Sequence, residues 1–276
     1  MSFKQLGLSE KTIKAINEAG ITTPTTVQKD VIPSILAGKD VFTIAPSVCG
    51  KTCSYVFPLI EIISRHEAQN ILIITANSKQ SVNVSDRFAV FNKYHEINES
   101  TITETQEDID NQANVIIASP DLLVDLIKED RVNLSQINIL VVDDINLIKK
   151  FHQLKNLEDI LEVLPADKQN IVYTNRRSKE TQSILDKILK TPQEFKIDRD
   201  KQQEAFQEEN CETDAVSEAL PSATAEKTVA GRNRKDTFKN SNHDSEALNL
   251  VKKYHTFGRH TPEFLLKKVE LAEDNL

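Results

Sequence analysis

Five short runs of the chain are apolar at nearly every position: residues 41–45, 71–75, 115–119, 139–143 and 171–174. Each is rich in β-branched side chains and bounded by turn formers. Strict alternation of apolar and polar residues marks a strand with one wet face. Unbroken apolarity marks a strand covered on both faces, which is the habit of parallel sheets. Between the runs, apolar residues recur at helical spacing over 9–19, 26–36, 51–65, 120–128, 157–164 and 179–189. Ser9 stands where an N-cap belongs. Pro33 lies inside the second stretch, Pro58 marks a kink in the third, and Pro120 opens the fourth, a position helices tolerate. Alternating strands and helices predict an α/β domain, a doubly wound parallel sheet flanked by helices.

The pattern fades near Asp200. Residues 201–250 are rich in Gln, Glu, Ser and Asn and poor in large apolar residues, which predicts a disordered linker. Residues 251–276 regain apolar character through Phe257, Phe264, Leu265, Leu266, Val269 and Leu271. Two readings of this segment stand side by side: a short helix that docks on a protein partner, or a frayed, self-docking tail. The expected organisation is one domain over 1–200, a linker and a short C-terminal segment.

Composition narrows the function classes. The 276 residues carry 34 Lys and Arg against 42 Asp and Glu, a net charge of −8. An acidic chain is a poor prior for tight, sequence-independent nucleic-acid binding, which needs cations to neutralise phosphates. With no Trp, the core must rest on Ile, Leu and Val. No stretch approaches the roughly 20 apolar residues that span a bilayer, and the first residues lack the apolar region of a secretory signal. Cys49, Cys53 and Cys211 are odd in number and lack metal spacing. The expectation is a soluble, cytoplasmic protein with no membrane partner. The six histidines share no metal spacing, and the acidic run 99–110 reads as a solvated loop or helix face.

The strand at 41–44 runs into Ala45-Pro46-Ser47-Val48-Cys49-Gly50-Lys51-Thr52 and then a helix. A phosphate loop has the pattern G-x-x-x-x-G-K-[ST] in this strand–loop–helix setting. The reason is physical. Unpaired N–H groups at a helix N-terminus point at the phosphate, and the helix dipole favours an anion. The lysine pairs with the outer phosphates and the hydroxyl reaches Mg²⁺. Gly50, Lys51 and Thr52 sit where that chemistry needs them. Ala45 stands in place of the first glycine.

The flanking residues carry a resemblance. Phe3, Leu6 and Leu8, then Gly20-Ile21-Thr22-Thr23-Pro24-Thr25-Thr26-Val27-Gln28, Ile32-Pro33 and Gly38-Lys39-Asp40-Val41 precede the loop. Beyond it, Ser119-Pro120-Asp121-Leu122, Val142-Asp143-Asp144-Ile145-Asn146 and the segment 169–177 follow in order. Over about residues 2–198 the chain resembles the N-terminal RecA-like domain of the DEAD-box RNA helicases. The resemblance implies a P-loop NTPase fold that binds ATP or ADP with Mg²⁺ and works on RNA. It implies that Gln28, Thr25 and Ile21 meet the adenine, that Gly50, Lys51 and Thr52 hold the phosphates, and that Thr52 and Asp143 hold Mg²⁺, Asp143 through water. Asp144 takes the place of the residue that orients the attacking water.

The departures from the family cluster at positions that do chemistry. Val48 stands where the family has a glycine free to take positive φ, which predicts a differently shaped or weaker phosphate loop. Cys49 places a thiol at a helix N-terminus beside Lys51. Ile21 replaces an aromatic, Asp144 is one methylene shorter than the family's Glu, and Asn146 replaces its final Asp. Thr174-Asn175-Arg176 stands for Ser-Ala-Thr. The first RNA motif, at Thr75-Ala76-Asn77-Ser78-Lys79-Gln80, has no Arg; a Gly-Gly pair is absent from 98–111; Asp121-Leu122 replaces Gly-Arg. Phosphate contacts dominate nucleic-acid affinity, so RNA binding is expected to be weak. Lys149, Lys150, Arg176 and Arg177 form a candidate residual phosphate site. Residues 201–276 are too few for a second RecA-like domain, and Arg232, Arg234 and Arg259 sit in no arginine-finger motif.

Three readings follow. The first is a divergent single-domain helicase-like protein in RNA metabolism that binds nucleotide weakly and does not unwind RNA alone. The second is a pseudo-helicase, a protein-interaction module that has lost nucleotide and RNA binding. The third is an ATPase completed by another chain.

Overall fold

The computed structural model describes residues 1–46, 49–65, 70–104 and 110–197. The linker and C-terminal segment expected at 201–250 and 251–276 lie outside the described residues, as do Val48, Cys211 and the three arginines of the tail.

The described residues form the expected parallel α/β layers. Eight helices are α1 (Glu10–Glu18), α2 (Thr26–Leu36), α3 (Lys51–Arg65), α4 (Ser78–Phe91), α5 (Pro120–Lys128), α6 (Ile145–Lys150), α7 (Leu154–Val163) and α8 (Lys179–Ile188). Seven strands are β1 (Val41–Ile44), β2 (Ile71–Ile74), β3 (Glu99–Thr101), β4 (Val115–Ala118), β5 (Ile139–Val142), β6 (Gln169–Thr174) and β7 (Gln193–Lys196). They make one sheet in the order β3-β4-β2-β5-β6-β1-β7, and every pairing is parallel.

The unbroken apolarity of the strands has a simple cause. Successive side chains point to opposite faces, and both faces are covered. Val41, Ile71, Ile73, Val115, Ile117, Ile139, Val141, Ile171 and Tyr173 pack on one side with α1–α4. Phe42, Leu72, Ile74, Ile116, Ala118, Leu140, Val142 and Val172 pack on the other with α5–α8. Helix α3 runs on through Pro58, and α2 through Pro33.

The N-terminal segment is tied to the same body. Phe3 meets Phe57 of α3 edge-to-face at 5.8 Å between ring centroids. Buried Glu61 of α3 accepts from the Ser9 N–H at 2.9 Å and the Thr12 hydroxyl at 3.0 Å. Thr12 also meets His95 at 3.1 Å. These bonds fix α1, and with it the turn that carries Ile21.

Two expectations need correction. The acidic run at 99–110 is not wholly a loop or helix face. Glu99–Thr101 is a strand at the sheet edge, paired with β4, and Ser100 is buried. Its alternation is only three residues long, too short to register as a pattern. The basic cluster is also engaged. Lys149 pairs with Glu180 and Arg177 with Glu194, so carboxylates already meet two of the four cations of the candidate phosphate site.

Candidate nucleotide site

The C-terminal ends of β1, β5 and β6 lie side by side because β6 sits between the other two. Ligands of open parallel sheets bind at such ends. The loop after β1 leads to Lys51 and Thr52, the loop after β5 carries Asp143 and Asp144, and β6 ends at Thr174.

Lys51 is the first residue of α3 and only 8% exposed. Its Nζ lies 3.3 Å from Asp144 Oδ2. Asp144 holds φ 63°, ψ 78° and caps α6 by accepting from the Leu147 N–H through Oδ1 at 3.3 Å. Left-handed backbone is costly for a residue with a Cβ, least so for Asp and Asn. Here both carboxylate oxygens are committed, one to the helix and one to Lys51, and they hold the strained residue in place.

Asp143 lies half-buried beside this pair. Burial pushes its carboxyl up to about 6, with the neighbouring Asp144 adding to the rise and the Lys51 ammonium opposing it. Two carboxylates therefore share one ammonium. That excess of negative oxygen, with the Thr52 hydroxyl on the same cleft, is the donor chemistry of a hard divalent cation such as Mg²⁺. The residues present fit such an ion.

Thr52 and Asp143 line a cleft of 640 Å³ with Ile21 on one wall and Gln80, Asn83 and Arg87 of α4 on another. The α4 wall was not legible as a site in the sequence. Its residues belong to no motif, and only the packing of α4 against α3 brings them here.

Gln28 and Thr25 are placed behind the loop. Gln28 is buried. Its Oε1 accepts from the Thr25 N–H at 3.0 Å, closing a capping box, and its Nε2 reaches the Gly50 carbonyl at 3.5 Å. Thr25 Oγ1 donates to the Cys49 carbonyl at 3.1 Å. These two residues hold the loop from below, a task the sequence did not reveal. Gly50 is required for it: φ is +82°, and a Cβ would stand 2.8 Å from Gln28 Nε2. The Cys49 thiol is buried and donates to the Pro46 carbonyl at 3.1 Å, so it packs inward rather than facing solvent.

Asn146, just past β5, is tied to the end of β6. Asn146 Nδ2 meets Thr174 Oγ1 at 2.7 Å, Asn175 Oδ1 at 3.1 Å and the Arg176 carbonyl at 2.6 Å. Thr174 itself donates to the Arg176 carbonyl at 2.8 Å. A hydroxyl and an amide can turn to suit a new neighbour, but the carbonyl cannot. Asn146→Asp sets an ionised acceptor against it. The substitution is expected to cost about 1–3 kcal/mol at neutral pH, with recovery in acid as the new carboxyl protonates. Urea denaturation at the two pH values checks this.

The model of the DEAD/DEAH box helicase family matches residues 25–183, more than half the chain. The DEAD-box ATP-dependent RNA helicase RhpA of Helicobacter pylori is 27% identical over 197 residues, covering 69% of this chain and 40% of that one. The ATP-dependent RNA helicase DeaD of Haemophilus influenzae is 26% identical over 205 residues, 71% of this chain and 33% of that one. The chain thus spans well under half the length of these relatives. A crystal structure of a DEAD box protein from Methanococcus jannaschii superposes with a TM-score of 0.67 at 23% identity, over 72% of this chain and 56% of that one. That likeness establishes the RecA-like fold. With the site geometry and the family match together, the chain belongs to the DEAD/DEAH box helicase family.

Proposed function

We propose that the protein binds ATP or ADP with Mg²⁺ in the cleft between α3 and α4, in RNA metabolism, without unwinding RNA by itself. One observation carries this: the buried Lys51–Asp144 pair beside Asp143, with Thr52 on the same cleft. In this reading Lys51 leaves Asp144 for the outer phosphates, and Gly50 with the α3 N-terminus offers N–H groups to them. Thr52 and Asp143 hold the Mg²⁺, which supplies charge neutralisation of the phosphates when bound. Ile21 covers one face of the base. Gln28 keeps a second amide hydrogen and a second carbonyl lone pair for the adenine edge while it holds Gly50 and Thr25, so base recognition and loop position are coupled.

The RNA side supports weak binding. Asp121 is exposed in the first turn of α5, where a carboxylate suits the helix dipole but repels a phosphate. Asn77 caps α4 with its own side chain, accepting from the Gln80 N–H at 3.0 Å. That end of the molecule is satisfied internally. These observations favour, as the second reading, a domain kept for contact with a protein partner, with the segment at 251–276 as a docking element. No helix among the described residues is long and apolar enough to cross a membrane.

The test is a titration of the full chain with ATP, with and without single-stranded RNA, beside a duplex-separation assay. The first reading expects nucleotide binding and no strand separation. Duplex separation by the pure protein contradicts both readings. Absence of nucleotide binding leaves the interaction module.

A further inference from the structure

Two tyrosines lie beneath the Lys51–Thr52 turn: Tyr55 of α3 and Tyr173 of β6, both with no exposed surface. Their rings pack at 5.4 Å between centroids. Their hydroxyls have different fates. Ser54 Oγ donates to the Lys51 carbonyl at 2.6 Å and lies 2.8 Å from Tyr173 OH, so the Tyr173 hydroxyl donates to Ser54. The Tyr55 hydroxyl is buried and completes no hydrogen bond. Asp143 and Thr52 lie close enough to act on it as side-chain hydrogen-bond partners, but the geometry stops short of a complete bond.

A buried hydroxyl without a partner is costly, and a phenylalanine would fill the same space without that cost. The cost is recovered only in a state that supplies a partner. The groups in reach are the two that the proposed site assigns to Mg²⁺. We propose that Tyr55 is a positioning residue of the metal–nucleotide site, whose hydroxyl donates to the Asp143 carboxylate when the cation binds and fixes its orientation. This rests on the nucleotide-binding reading above.

The proposal separates from a packing role because Phe keeps the ring. The full-length protein and Tyr55→Phe are titrated with ADP, in Mg²⁺ and in EDTA, and melted without ligand. Tyr55→Phe is expected to weaken ADP binding about 5–10-fold in Mg²⁺ and to leave binding in EDTA unchanged. Its apo form should melt about 2–4 °C higher, because the orphaned hydroxyl is gone. The chain has four Tyr and no Trp, so tyrosine absorbance reports the bond directly. Adding Mg²⁺ to the ADP complex should red-shift it in wild type and in Tyr173→Phe, but not in Tyr55→Phe. Equal Mg²⁺–ADP affinity in wild type and Tyr55→Phe overturns the proposal while the nucleotide reading stands. Failure of the wild type to bind Mg²⁺–ADP overturns both.

Discussion

Lys51→Ala weakens nucleotide binding by about 2–5 kcal/mol, at least about thirtyfold. The ammonium has two tasks. It balances Asp144 at 3.3 Å in the empty site, and it meets the outer phosphates in the proposed complex. Its loss therefore acts on the apo protein too. Asp143 and Asp144 are left facing each other without a cation, and that costs about 2–3 kcal/mol of stability, less than a fully buried pair because the cleft is open to water. The cost fades in acid, where Asp143 carries a proton and the repulsion is gone, and without the Lys51 ammonium that carboxyl is held higher than in wild type. Calorimetric titration and urea unfolding at about pH 5 and about pH 8 measure the two effects separately. A Lys51→Ala protein that binds nucleotide like the parent removes the assigned binding mode.

Asp143→Asn moves stability and function in opposite directions. The Asp143 carboxyl stands at about 6 in the folded protein against an ordinary 3.8. A carboxyl raised on folding binds its proton more tightly in the native state. Its own contribution to stability is therefore greatest in acid, falls as pH rises from about 4 to about 6, and stays low above that. Asparagine has no such penalty. The variant is expected to be more stable than wild type by about 2–3 kcal/mol at pH 7, with the gain vanishing near pH 4. The same substitution removes the carboxylate proposed to orient Mg²⁺, so nucleotide affinity should lose its dependence on the cation. Unfolding curves across this pH range, with ADP titrations in Mg²⁺ and in EDTA, check both halves. A gain in stability without loss of the Mg²⁺ effect would place the metal elsewhere.

Much of the fold is legible in the sequence because the strands are buried on both faces. Helices α2, α3 and α5 begin and end at the predicted residues. What escapes the pattern has physical causes. Helix α4 turns in only Ser81, Val84, Phe88 and Phe91, a narrow stripe with a serine in it, while Val82 and Val90 are exposed and blur the period. Strand β7 lies at the sheet edge, mostly exposed, so it has no apolar run to announce it.

The site divides in the same way. The chain order brings Lys51, Thr52 and Asp143 to the ends of neighbouring strands, and a motif can be read there. Tertiary packing alone sets the α4 wall, the hold of Gln28 on Gly50 and the unpartnered hydroxyl of Tyr55. Asn146, a departure from the family's final Asp, still makes a complete knot with Thr174, Asn175 and Arg176 through its amide donor. Departure from a family residue is thus not the same as loss of the contact.

The cleft is proposed to bind a Mg²⁺-nucleotide. Isothermal titration of the full-length protein with ADP in excess Mg²⁺ tests it most directly. Saturable binding at one site per chain is expected, weakened in EDTA and weakened at least about thirtyfold in Lys51→Ala. No binding heat at millimolar nucleotide, or heat that Lys51→Ala leaves unchanged, would contradict it.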